Sequence, residues 1–209
     1  MNEEETMKKV DYKKDFKELY LPKETPVIIT VPELSFIYVD GEGNPNNEGF
    51  QKDTELLYAL SYGVRMSYKW PDPPTEWYEY TVFPLEGVWD LVDKGISHLD
   101  KDNLKYRIMI RQPDFLDRSL FEHIVAETSR KKKIDVNRAG FGSLTEGLVC
   151  QMLHIGSYDN EAKSFEIMEE FCKGKGFKRL EKTHREIYLS DPRKTKKEDL
   201  KTVLRFRIV

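Results

Sequence analysis

Thr183-His184-Arg185-Glu186-Ile187-Tyr188-Leu189-Ser190-Asp191-Pro192 reads as a β-strand closed by an Asp-Pro turn. Side chains alternate in direction along a strand. Ile187 and Leu189 therefore point one way, toward a core, and His184, Glu186 and Tyr188 point the other. A carboxylate beside a phenol sits badly on a dry face, where an unpaired charge costs roughly several kcal/mol. It sits as badly in bulk water, where Tyr188 gains little. A cavity that holds a ligand satisfies both, and a solvent-facing glutamate on an edge strand is the simpler alternative.

Working outward, the same order of elements occurs twice. A strand from Pro26 to Asp40, a turn around Gly41 and Gly43, and a helix from Phe50 to Tyr68 precede further strands up to Gln112. A strand from Gly147 to Ile155, a turn at Gly156-Ser157-Tyr158-Asp159, and a helix from Glu161 to Cys172 precede the opening strand and a last one at Val203–Val209. In this alignment Gly41 and Gly43 match Gly156, Asn47 matches Asp159 or Asn160, Gly63 matches Gly174, and 79–85 match 184–190. The helix Leu116–Lys131, with Asp117 near its start, is an insert between the copies.

The expected fold is α+β. Two pseudo-symmetric strand–helix–strand–strand modules form a curved antiparallel sheet, with helices on one side and a ligand groove on the other. The whole chain, 1–209, is read as one domain. It has an N-terminal helical extension over about 1–25, modules over about 26–112 and 141–209, and a linking helical segment over about 113–140. In the extension Tyr12, Phe16, Leu19 and Tyr20 recur at helical spacing, and Pro22 and Pro26 end the run. Tyr80 or Phe83 is expected to face Glu186 and Tyr188, with the register of 79–85 open by one residue.

Trp77-Tyr78-Glu79-Tyr80-Thr81-Val82-Phe83-Pro84-Leu85-Glu86-Gly87-Val88-Trp89 is read as a strand running into a turn, beside the stiff loop Trp70-Pro71-Asp72-Pro73-Pro74. Flat aromatic walls suit flat or cationic ligands, with cation–π attractions of roughly 0.5–2 kcal/mol each.

Composition narrows the function. The 209 residues carry 34 Lys and Arg against 37 Asp and Glu, a net charge of −3, which gives no electrostatic case for nucleic acid. The clusters Lys131-Lys132-Lys133 and Lys194–Lys197 read as solvated loops or helix ends. Gly41-Glu42-Gly43 contains neither a GxGxxG pattern nor a phosphate-loop lysine. Cys150 and Cys172 lack paired spacing, which fits free thiols in a reducing compartment. The acidic start, Met1–Glu5, does not read as a signal peptide, and no apolar run approaches the roughly 20 residues that span a bilayer. A cytoplasmic location is expected, with no membrane association. His154 and His184 lie on strands that could be neighbours, while His98 and His123 look unconnected. No H-x-H or HExxH spacing occurs, so no metal and no other cofactor is expected.

The stretches Pro84-Leu85-Glu86-Gly87-Val88-Trp89, Ile110-Arg111-Gln112-Pro113-Asp114-Phe115, His154-Ile155-Gly156-Ser157-Tyr158-Asp159 and Glu186-Ile187-Tyr188-Leu189-Ser190-Asp191-Pro192, set in this layout, resemble the GyrI-like small-molecule-binding family. They look most like its standalone cyclopropanoid cyclopropyl hydrolases, which open the strained ring of DNA-alkylating antibiotics of the yatakemycin and CC-1065 type. The resemblance implies an aromatic cage around the drug and a buried glutamate on the central strand, at Glu186. Under that reading Glu186 is the base for water, Tyr188 a donor to the developing oxyanion and Glu146 a second carboxylate. The cage would come from Trp70, Trp77, Tyr78, Tyr80, Phe83, Phe141 and Tyr188. The alternative is a binding or sequestering module for hydrophobic, often cationic, molecules, with Glu186 only a counter-charge. In either case the partner is a hydrophobic aromatic small molecule, and the protein is expected to be a monomer or weak dimer.

Overall fold

The computed structural model describes residues 9–95 and 100–209. The acidic start and His98 lie outside the described residues. Six strands, β1 (Val27–Glu42), β2 (Leu85–Leu91), β3 (Leu104–Arg111), β4 (Ala139–Ile155), β5 (His184–Tyr188) and β6 (Lys201–Arg207), close into an antiparallel barrel in the order β1-β3-β2-β5-β6-β4. Among the described residues five α-helices accompany them: α1 (Tyr12–Asp15), α2 (Lys17–Tyr20), α3 (Glu48–Met66), α4 (Arg118–Lys131) and α5 (Glu161–Gly174). The fold is mixed α/β. The order strand, helix, strand, strand occurs twice, as β1-α3-β2-β3 and β4-α5-β5-β6. The two sets meet through β1 against β4 and β2 against β5.

The helices form where the sequence places an apolar stripe. Leu56, Leu57, Leu60 and Val64 of α3 are buried against Ile37, Val39, Ile108 and Ile110 of the sheet. Met168 and Cys172 of α5 are buried against Cys150, Met152, Leu204 and Phe206. Asp117 caps α4, its side chain accepting from Leu120 N at 2.7 Å. The turns that lead into α3 and α5 carry Gly43 (φ 99°) and Gly156 (φ 136°), a region that L side chains rarely adopt. Gly63, matched in sequence to Gly174 at the end of α5, instead lies within α3, where a Cβ would meet Ile124 at 3.0 Å.

Two expectations change here. The first concerns the aromatic run, whose strand begins at Leu85 rather than near 79. Tyr80 instead makes an isolated bridge to Val10. The stretch before it is apolar because the N-terminal turns cover it: Tyr12, Tyr20 and Phe83 form a ring cluster with centroids 5.4 to 6.1 Å apart. The second concerns the side of the sheet turned away from the helices, which is not an open groove. Closure of the barrel makes it interior, where Phe36, Met109 and Val149 are buried. Beside them lies a buried ionic cluster. Arg185 Nη1 reaches Glu86 at 3.0 Å and Glu146 at 3.1 Å, and Arg205 donates to Glu146 at 2.9 Å and to Gln151 at 2.8 and 3.1 Å. The N-terminal segment closes over this cluster. Leu19 O accepts from Arg205 at 2.7 Å, and Tyr20 Oη donates to Glu86 at 3.3 Å. No helix among the described residues is long and apolar enough to cross a membrane.

Candidate functional site

An open cleft of about 2290 Å³ lies on the helix-bearing side of the sheet, with α3 and α5 as its walls and β2 and β5 as its floor. Strand β5 builds the floor by simple alternation. Arg185 and Ile187 turn inward and are 3% and 0% exposed. His184, Glu186 and Tyr188 turn into the cleft. Glu186 is only 8% exposed. Its Oε1 lies 3.0 Å from His184 Nε2.

The residue facing Glu186 across the strand pair is Gly87. Its missing side chain makes room for a contact beside the carboxylate, in which Trp89 Nε1 donates to Tyr188 Oη at 2.8 Å. Phe50 stacks on Trp89 at 5.9 Å, Tyr158 meets Tyr188 edge-on at 5.9 Å, and Phe165 lies edge-on to His184 at 4.7 Å. The carboxylate is thus ringed by aromatic rings from both helical walls.

The wall contributes a second acid. Glu161 is the first residue of α5, is 6% exposed, and lines the cleft. The side-chain donor atoms of Glu161, His184 and Glu186 lie within 4.8 Å of one another, close enough to seat a cation or to share protons. Glu161 Oε1 is buried and receives no hydrogen bond from any described residue. Burial, and then the charge of Glu186, hold the Glu161 carboxyl well above the usual carboxylate range. Burial and Glu186 likewise push the Tyr188 phenol up. Burial pushes Tyr158 up to about 12, with Glu186 and Glu161 adding to the effect. The site therefore offers two phenols that stay protonated and a Glu161 carboxyl that resists ionising beside Glu186.

Of the residues expected from sequence, Glu186, Tyr188 and Phe83 line this cleft. The others lie elsewhere. Trp70 packs on His123 at 4.6 Å, Trp77 on Tyr68 at 4.8 Å, Tyr78 on Phe115 at 5.3 Å, and Phe141 on Phe121 at 5.4 Å. Tyr80 is 2% exposed in the core. Glu146 belongs to the interior ionic cluster with Arg185 and Arg205, on the opposite side of the sheet from Glu186. His154 is occupied by Ser164 at 2.9 Å and the Ser157 carbonyl at 3.1 Å. The sequence reading missed Glu161, Trp89, Phe50, Tyr58, Tyr158 and Phe165 as cleft residues. The available signal was the repeat itself: if each helix crosses its own sheet, the first turn of α5 must come close to β5.

A family model described as the GyrI-like small molecule binding domain matches residues 24–209. The chain belongs to that family. Three solved structures from Listeria innocua are similar over their full length. An uncharacterized conserved protein is 35% identical, with a TM-score of 0.91, covering 96% of this chain and 100% of its own. Two proteins described as hydrolases are 33% and 36% identical, with TM-scores of 0.89. They cover 96% and 97% of this chain and 100% of their own. No relative was found among curated proteins.

Proposed function

We propose that this GyrI-like protein is a hydrolase that opens strained rings in electrophilic aromatic small molecules, of which the cyclopropane of yatakemycin and CC-1065-type alkylators is the model substrate. The observation that carries the reading is Glu186, nearly buried, hydrogen-bonded to His184 and walled by aromatic rings in an open cleft. The two similar Listeria proteins described as hydrolases support it.

In this reading the flat drug lies between Trp89, Tyr188 and the aromatic residues of α3 and α5. Glu186 takes a proton from water as the water oxygen bonds to a ring carbon. The broken C–C bond delivers its electron pair into the conjugated carbonyl, and phenol donors, Tyr188 with Tyr158, stabilise the oxyanion. His184 orients Glu186. Glu146, Trp70, Trp77, Tyr78, Tyr80 and Phe141 line no part of the cleft and take no part in this reaction. The two strand–helix–strand–strand units act as pseudo-symmetric halves of one domain, with the cleft between their helices. The role is detoxification, and hence drug resistance, in the cytoplasm. It requires no nucleic acid or membrane, and a monomer or weak dimer suffices.

A second reading, a sequestering module for hydrophobic cations, is favoured by the family description and by the paired carboxyls Glu161 and Glu186. The Glu186→Gln variant separates the two. Under the hydrolase reading it loses turnover by about 100-fold or more while drug still quenches Trp89 fluorescence with an affinity within several-fold of the parent. Equal turnover in the variant removes Glu186 as the base. Loss of binding for cations alone, with no turnover in either protein, supports the second reading.

A further inference from the structure

In the cyclopropane reaction, charge emerges on a carbonyl oxygen across a conjugated ring, several bonds from the attacked carbon. That chemistry needs phenol donors at the carbonyl oxygen but no acid at the attacked carbon, yet the cleft floor sets a second carboxyl beside the base. Glu161 and Glu186 come from different elements, the start of α5 and the middle of β5, yet their carboxyl oxygens and His184 fall within 4.8 Å. Glu161 lines the cleft against Glu186, and its Oε1 is buried with no hydrogen-bond donor among the described residues, so this carboxyl calls for a proton or a ligand. The ring-opening described above gives it no task.

From this adjacency we infer that the site also hydrolyses aryl-substituted epoxides to vicinal diols, with Glu186 as base and Glu161 as general acid. The inference rests on the hydrolytic reading of the cleft. In an epoxide the leaving oxygen is bonded to the attacked carbon, so acid and base must be neighbours. Water's oxygen forms a bond to one epoxide carbon while Glu186 accepts its proton. The C–O bond of that carbon breaks, and the oxygen keeps the electron pair and takes the proton of Glu161. Glu186 is then protonated and Glu161 ionised. Direct transfer between the two neighbouring carboxyls restores the starting state. One water and one epoxide give one diol, and neither oxidant nor metal is consumed. His184 Nε2, 3.0 Å from Glu186, keeps that carboxylate turned toward the water. Trp89 and Tyr188 provide the wall for the aryl group.

The test uses the full chain with styrene oxide and, in parallel, a spirocyclopropyl dienone, in ¹⁸O-labelled water. Products are followed by mass spectrometry, with and without a chelator. The expected result is many turnovers of styrene oxide to a diol bearing one ¹⁸O, unaffected by the chelator. The expected effect of Glu161→Gln is a kcat lower by about 100-fold or more at similar KM, with folding of the variant checked by circular dichroism. Turnover of the cyclopropane without any diol from styrene oxide would overturn the inference and leave the hydrolase reading standing. Diol formation by Glu161→Gln at the parent rate, or only after added divalent metal, would overturn the acid role. Inertness toward both substrates would remove the inference together with the reading beneath it.

Discussion

Replacing Gly87 with alanine puts a methyl group where the site has no room for one. A Cβ at Gly87 would lie 2.8 Å from Trp89 Nε1 and 3.0 Å from Tyr188 Oη, the two atoms that share a hydrogen bond. Trp89 cannot easily retreat, because it is 7% exposed and its ring lies 5.9 Å from Phe50 and 5.6 Å from Tyr106. The methyl must therefore break the bond or push β2 away from β5. Stranding the buried partners costs about 1–3 kcal/mol, and overpacking adds about 1–3 kcal/mol. The lower chain entropy of alanine in the unfolded state returns about 0.5–1 kcal/mol. The net loss is about 3 kcal/mol, which for a chain of this size lowers Tm by about 6–12 °C. Thermal unfolding followed by tryptophan fluorescence reads the loss, and turnover should fall with it because Tyr188 moves beside Glu186. A Tm within about 2 °C of the parent, with unchanged turnover, would refute the argument that this contact positions the site.

Three further outcomes follow from the same structure. Arg205 is 1% exposed and holds Glu146, Gln151 and the Leu19 carbonyl, so Arg205→Met leaves Glu146 to Arg185 alone and strands the Gln151 and Leu19 oxygens, at a cost of about 2–4 kcal/mol in urea unfolding; a loss under about 1 kcal/mol would show that the cluster does not hold the barrel end. Asp117→Ala removes the cap on Leu120 N and should cost about 1 kcal/mol, measured the same way, and no change would mean that α4 does not depend on its cap. Because burial raises the Glu161 carboxyl above its unfolded value, the native state binds the proton more tightly than the unfolded chain, and stability falls as pH rises from the unfolded pKa, about 4.3, toward the folded one. Glu161→Gln should therefore be more stable than the parent at pH 8, with the gap closing by pH 4; a gap independent of pH would contradict the assignment.

Much of this fold could be read along the chain because the residues that build it act locally. The alternation of β5 separates Ile187 from Glu186 correctly, since a strand leaves its side chains no other choice. Asp117 announces the start of α4, and the stripe Leu56-Leu57-Leu60-Val64 announces α3. The failures are tertiary. Tyr80 and Phe83 looked like strand because they are aromatic, but the turns around Tyr12 and Tyr20 supply their burial from a distance in sequence. Trp70, Trp77 and Phe141 are rich cage material on paper, yet His123, Tyr68 and Phe121 occupy their faces. Nothing in the sequence pairs Arg185 and Arg205 with Glu86 and Glu146, which neutralise them inside the barrel. Glu161 read as a helix start, and only the path of α5 over the sheet brings it to Glu186.

Turnover separates a hydrolase from a protein that only binds. Purified protein, incubated in substoichiometric amount with a cyclopropane-containing alkylator and followed by mass spectrometry, should produce many equivalents of ring-opened product, and the Glu186→Gln variant should produce almost none. Product capped at one equivalent, or tight binding with no ring opening at all, would contradict a hydrolase and leave a protein that only holds its ligand.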